Sequence, residues 1–167
     1  MKKKTNTPKS PVTNILFCGT GGQGVLAAAE ICGLAALNEG FHVKKSEVHG
    51  MAQRGGSVES HLRFGPHVYS PLIPHGQVDY LVSFLKEESL RMHNLLSKHG
   101  VDLTPELDRG LAAISDKRLL NSFLLGVLSG HLAISQDSWL KAIEQVFAKK
   151  NLQGNIDAFL HGRGGSK

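Results

Sequence analysis

From Asn14 to Cys18 the chain is apolar over one strand length, and Gly19-Thr20-Gly21-Gly22-Gln23-Gly24 then interrupts it. Beyond the glycines, Val25, Ala28, Ala29, Cys32, Ala35 and Ala36 recur every three or four positions, which predicts a helix over 25–38 closed by Gly40. Its many alanines predict close packing on a sheet. Phe41 to Val48 reads as a second strand, so strand, glycine turn, helix and strand form a right-handed βαβ unit.

His49 to Gly56 is too rich in glycine and polar groups for a core element and reads as an extended functional loop. Ser57 to Phe64 alternates, with Val58, Ser60, Leu62 and Phe64 on one face and Glu59, His61 and Arg63 on the other. Gly65-Pro66 makes a turn, after which His67 to Ser70 is placed to return as a hairpin partner, ended by Pro71 and Pro74. Val78 to Phe84 is a further strand, and Glu87 to Lys98, carrying Leu90, Leu95 and Leu96, a helix. From Gly100 to Asp116 the pattern fades, leaving Leu111 to Ile114 as a brief strand or a helical turn.

The last third is helical. One stripe joins Leu120, Phe123, Leu124, Val127, Leu128 and Leu132; another joins Trp139, Leu140, Ile143, Val146 and Phe147; a short one joins Ile156, Phe159 and Leu160. Gly126 and Gly130, four apart, predict close helix packing. The expected fold class is α/β: a Rossmann-like three-layer open sheet, mostly parallel, with a β-hairpin insertion and a helical C-terminal third. The expected organisation is a disordered basic tail over 1–13, one domain over 14–161 and a flexible tail over 162–167.

Charge changes that picture little. The formal net charge is +5, yet Lys2, Lys3, Lys4, Lys9, Arg163 and Lys167 lie near the ends, leaving a near-neutral body with all 14 acids. A phosphate-tracking surface gathers its cations on one folded face, so no nucleic-acid partner is expected. No apolar run reaches the roughly 18 residues of a membrane span, and the first residues lack a signal-peptide segment, so the expectation is a cytoplasmic chain with no membrane partner. Cys18 and Cys32 fall short of the four thiolates an iron–sulfur cluster takes. His49 and His61 match no metal spacing, and no metal is expected.

Gly19, Gly21 and Gly24 satisfy GxGxxG between a strand and a helix. The first allows a tight turn, the second close approach of a ligand or another backbone, the third helix–strand packing, and the free helix-start amides favour an anion. Thr20, Gly22 and Gln23 complete this candidate binding turn; the alternative is a turn that binds nothing. In a dinucleotide site an acid about 20 residues on meets the ribose. Glu47 could do so for NAD, or Lys44 and Lys45 could meet a phosphate. At the end of the second strand His49, Gly55 and Gly56 are further binding candidates, and Gln53 and Arg54 are candidate catalytic residues. Arg54 offers a fork for a carboxylate or phosphate, or a salt bridge to Glu47 or Glu59 that pins the loop. No nucleophile elbow or phosphate loop of the GxxxxGK[ST] type occurs, so the chain reads as part of a site.

The glycine turn, followed after one helix by Ser46-Glu47-Val48-His49-Gly50-Met51-Ala52-Gln53-Arg54-Gly55-Gly56-Ser57-Val58, closely resembles the gamma-type subunit of 2-oxoacid:ferredoxin oxidoreductases. Within that family it is most similar to the small subunits of indolepyruvate-specific members. The resemblance runs from Asn14 to Phe84, including Tyr69-Ser70-Pro71-Leu72-Ile73, and returns at Asn121-Ser122-Phe123-Leu124-Leu125-Gly126. It implies a subunit, inactive alone, of an enzyme that oxidatively decarboxylates a 2-oxoacid and yields acyl-CoA, CO2 and reduced ferredoxin. Larger partner subunits would hold thiamine diphosphate and iron–sulfur clusters, CoA would bind the assembled enzyme, and this chain would carry no cofactor by itself. The resemblance also implies a strand after the Glu87 to Lys98 helix, and the pattern between Leu96 and Asn121 shows none. A stand-alone nucleotide- or CoA-binding module is the alternative.

Overall fold

The computed structural model describes residues 12–51, 55–148 and 150–164. Five strands form one sheet: β1 (Thr13–Thr20), β2 (His42–His49), β3 (Ser57–Gly65), β4 (Val78–Ser83) and β5 (Leu96–Asp102), in the order β2-β3-β1-β4-β5. Only β3 runs against the others, pairing antiparallel with β1 and β2, while β4 lies parallel to both β1 and β5. This is the mostly parallel three-layer α/β architecture expected. The hairpin insertion is β2–β3, closed by the His49 to Ser57 loop. His67 to Ser70, expected as the partner of β3, forms no strand.

β1 is central and buried on both faces: Ile15, Leu16, Phe17 and Cys18 are all 0% exposed. Ile15 and Phe17 face α1 (Val25–Asn38), against which α4 (Leu120–Ser129) and α5 (Gln136–Phe147) pack, with α6 (Leu152–Gly164) lying on those two helices. Leu16 and Cys18 face the other side, where α2 (Lys86–Met92) and Ile73 complete a smaller core with Leu81. α1 is pressed between sheet and α5, so small residues serve on nearly all its sides.

The chain does contain the strand that the pattern hid. α2 stops at Met92, a single 3-10 turn covers His93–Leu95, and β5 follows where a helix to Lys98 was expected. Between Val78↔Leu96 and Tyr80↔Val101 the register shifts, so Lys98 and His99 bulge outward and no apolar alternation survives. Gly100 is required there, since a Cβ would lie 2.6 Å from the Val78 carbonyl oxygen. Leu111 to Ile114 resolves as the end of α3 (Glu106–Ala113).

Gly126 packs closely as expected, whereas Gly130, the other glycine of the pair, caps α4. A Cβ on Gly126 would collide with the Phe159 carbonyl, and one on Gly162 with the Phe123 carbonyl. The two helices therefore cross backbone to backbone. α6 extends to Gly164, past the expected domain limit at 161, and Arg163, counted with the tail, donates to the Ser129 hydroxyl at 2.7 Å and carbonyl at 3.2 Å.

Candidate functional site

The glycine turn links β1 to α1 at the C-terminal edge of the sheet. Gly22 and Gly24 hold φ of +91° and +82°, so the left-handed positions are these two. Gly19 serves closeness instead, because a Cβ there would stand 2.7 Å from Gln23 Oε1 and 2.9 Å from Val25 Cγ2. Gln23 is committed to the turn: its Oε1 accepts from the Thr20 amide at 2.8 Å, and its Nε2 donates to the Phe84 carbonyl at 3.1 Å. Gly24 caps α1 with no side-chain bond and faces Asn121 of α4, whose Nδ2 would lie 2.7 Å from an added Cβ.

The second motif closes against the first. The Gly21 amide donates to the Gly56 carbonyl at 3.0 Å, and the Gly50 amide to the Ser57 carbonyl at 2.8 Å. The approach expected at Gly21 is thus filled by another backbone, with Gly55 N 3.5 Å from a Cβ position. Met51 in the same loop is fully exposed, and Gly55 adopts φ of +68°. Gln53 and Arg54 lie outside the described residues.

Glu47 sits between Lys45 at 3.1 Å and His49 at 3.7 Å, and Lys45 also pairs with Glu30 at 2.5 Å. Burial acts to lower the Lys45 pKa, and the two carboxylates overcome it and raise it. β3 stands between β2 and β1, so Glu47 is two strand spacings, roughly 10 Å, from the strand that carries the glycine turn. That separation, with its pairing, favours a structural role for Glu47. Glu59 is taken by Arg91 at 2.9 Å, which also binds Glu88 at 2.6 Å, and Ser57 Oγ donates to Glu88 at 2.9 Å. This network braces the far end of the loop against α2.

Neither thiol suits metal work. Burial pushes the Cys18 thiol up to about 11 against a bond with Ser83, and burial alone raises Cys32 further. They lie in cores on opposite faces of the sheet. No three His, Cys, Asp or Glu side chains converge on a metal position among the described residues, so the residues present do not fit an iron–sulfur cluster.

The glycine turn is the wall between two clefts. One, about 390 Å³, is lined by Thr20, Gly21, the first turn of α1, His49 and Val58. The other, about 610 Å³, lies between the turn, α2, α3 and the start of α4, with Lys86, Lys117 and Asn121 on its walls. Sequence reasoning did not bring Lys86 together with Lys117 and Asn121, because α2 and the segment leading into α4 are far apart along the chain. Among the described residues, no helix is long and apolar enough to cross a membrane.

Fold and edge together define a glycine-turn α/β module with its polar loops gathered at one end of the sheet. Residues 14–108, more than half of the chain and spanning both motifs, match the model of the pyruvate ferredoxin/flavodoxin oxidoreductase family, and the chain belongs to that family. It is 48% identical over 91 residues to indolepyruvate oxidoreductase subunit IorB of Thermococcus kodakarensis, covering 54% of this chain and 45% of that protein. The match thus spans a little under half the length of that relative. Similarity to pyruvate synthase subunit PorC of Methanothermobacter marburgensis is 29% and covers 86% of this chain and 92% of that one. Among solved structures, the keto/oxoacid ferredoxin oxidoreductase gamma subunit of Geobacter sulfurreducens superposes with a TM-score of 0.75 at 22% identity, covering 92% of this chain and 98% of that one. The 2-oxoglutarate:ferredoxin oxidoreductase of Magnetococcus marinus does so with a TM-score of 0.78 at 18% identity, covering 95% of this chain and 31% of that one.

Proposed function

We propose that this chain is the gamma-type subunit of a cytoplasmic 2-oxoacid:ferredoxin oxidoreductase acting on an aryl 2-oxoacid such as indolepyruvate. Its glycine-turn edge docks beside the active site of larger subunits that hold thiamine diphosphate and iron–sulfur clusters. Oxidative decarboxylation and electron transfer to ferredoxin belong to those partner-held groups, and CoA accepts the acyl product. The observation that carries the reading is the Gly21–Gly56 backbone bond. It joins two motifs far apart in sequence, both inside the matched segment, into one surface. The 48% identity with an IorB subunit supports the aryl substrate.

To Gln53 and Arg54 this reading gives a role toward the substrate held by the partner, since an amide and a guanidinium fork suit the carboxylate of a 2-oxoacid or a phosphate of CoA. The test is purification of the tagged chain from its native host. A larger thiamine- and iron-containing partner should accompany it, and recovery of the chain alone would overturn the reading. In the assembled enzyme, Arg54→Ala and Gln53→Ala should each lower kcat/KM by about tenfold or more while assembly persists.

A further inference from the structure

We propose that the larger cleft is a ligand site in its own right, for a small molecule that carries one carboxylate on an apolar body. It lies where β1 and β4 run side by side and their following helices, α1 and α2, leave to opposite faces of the sheet. In open α/β sheets such a crossover leaves a crevice outside the carboxyl ends of the strands. Its volume of about 610 Å³ is of small-molecule size.

The sharpest observation is Asn121. The residue is 95% buried, at 5% exposure, and lines the cleft. Its Oδ1 accepts from the Ser122 amide at 2.8 Å, which fixes the other end of the carboxamide as the NH2 donor. Among the described residues that NH2 group makes no hydrogen bond, and since the fully buried unpaired side-chain atoms are Ser60 Oγ and Trp139 Nε1, it opens to the cleft, where a ligand acceptor can meet it. It sits against Gly24, the residue that begins α1, whereas α4 continues directly from the 3-10 turn Lys117–Leu119, whose Lys117 carbonyl accepts the Leu120 amide. The Asn121 NH2 and the Lys117 ammonium thus belong to residues that line the same cleft, an arrangement that favours an anion.

The charges limit that anion to a single carboxylate. Lys86 is paired with Asp108 at 2.7 Å, and Arg118 with Asp116 at 2.8 Å. Lys117 alone of the three cations has no ion pair among the described residues, and Glu87 adds a negative charge to the wall. A pyrophosphate would go largely uncompensated. Leu85, Leu107, Leu111 and Leu120 supply the apolar sides that would hold the rest of the molecule.

The site belongs to the chain itself, so its test needs no partner subunit and stands apart from the proposed assembly. The full-length 15N-labelled chain is titrated with phenylacetate, phenylacetamide and ADP. Phenylacetate should give saturable shifts at Gly22, Gly24 and Asn121 with a Kd of about 1 mM, and the neutral amide should bind about tenfold more weakly. Asn121→Asp keeps the acceptor for Ser122 but replaces the donor with charge, and should weaken phenylacetate by about tenfold. Exposed Lys117→Glu should weaken it several-fold and decides the matter if the first variant does not fold. Absence of saturable shifts up to about 20 mM, tighter binding of ADP than of phenylacetate, or unchanged affinity in Lys117→Glu would each overturn the proposal.

Discussion

Gln23 Nε2 donates to the Phe84 carbonyl at 3.1 Å, tying the glycine turn to the end of β4 across 61 residues of sequence. The same carboxamide accepts from the Thr20 amide, so one side chain satisfies two backbone groups. Gln23→Ala should destabilise the fold by about 1–3 kcal/mol, read by denaturant unfolding. Gln23→Glu retains only the acceptor and should recover part of that loss.

Gly126 and Gly162 each meet backbone of the opposite helix. Neither notch can take a methyl group without parting α4 from α6, which carry Phe123, Leu124, Val127 and Phe159 in the core. Gly126→Ala or Gly162→Ala should cost about 3 kcal/mol or more. The double variant should cost less than the sum, because the first substitution already separates the helices. Thermal unfolding measures both.

His61 Nδ1 accepts the Ile73 amide at 3.3 Å, which requires the neutral ring, and burial lowers its pKa despite the opposing charge of Glu59. The unfolded chain therefore binds the proton first as pH falls through the range near 6.5, and stability drops with it. The contribution is fully present above the unfolded pKa. His61→Gln should flatten the decline in Tm between about pH 7.5 and pH 5.5.

Arg91 holds the largely buried carboxylates of Glu59 and Glu88 together. Its own side chain is 46% exposed, so solvent screens part of the attraction and Arg91→Met should cost about 1–2 kcal/mol. Adding Glu88→Gln should restore some of that stability by removing one of two facing charges. Denaturation of the single and double variants tests this.

The glycine turn, α1 and the start of the loop were legible because each follows a local rule: apolar run, backbone-permitting glycines, three-to-four periodicity. β5 was not, because its bulge at Lys98 and His99 destroys the alternation that marks a strand. The helix that Gly126 packs on was not legible for a related reason. Gly162 and the Phe159 backbone are distant in sequence and are brought to α4 only by the fold.

The sequence by itself determined the class of fold, the two motifs and the family resemblance, since local periodicity and glycine placement are written along the chain. Tertiary structure decided that β3 enters between β1 and β2, and so sets Glu47 two strands from β1. It also decided that Gly21 meets Gly56, and that Asn121 faces Gly24. Those relations depend on which strand edges pair and which helices cross, and such choices are made by burial of the whole core rather than by any one segment.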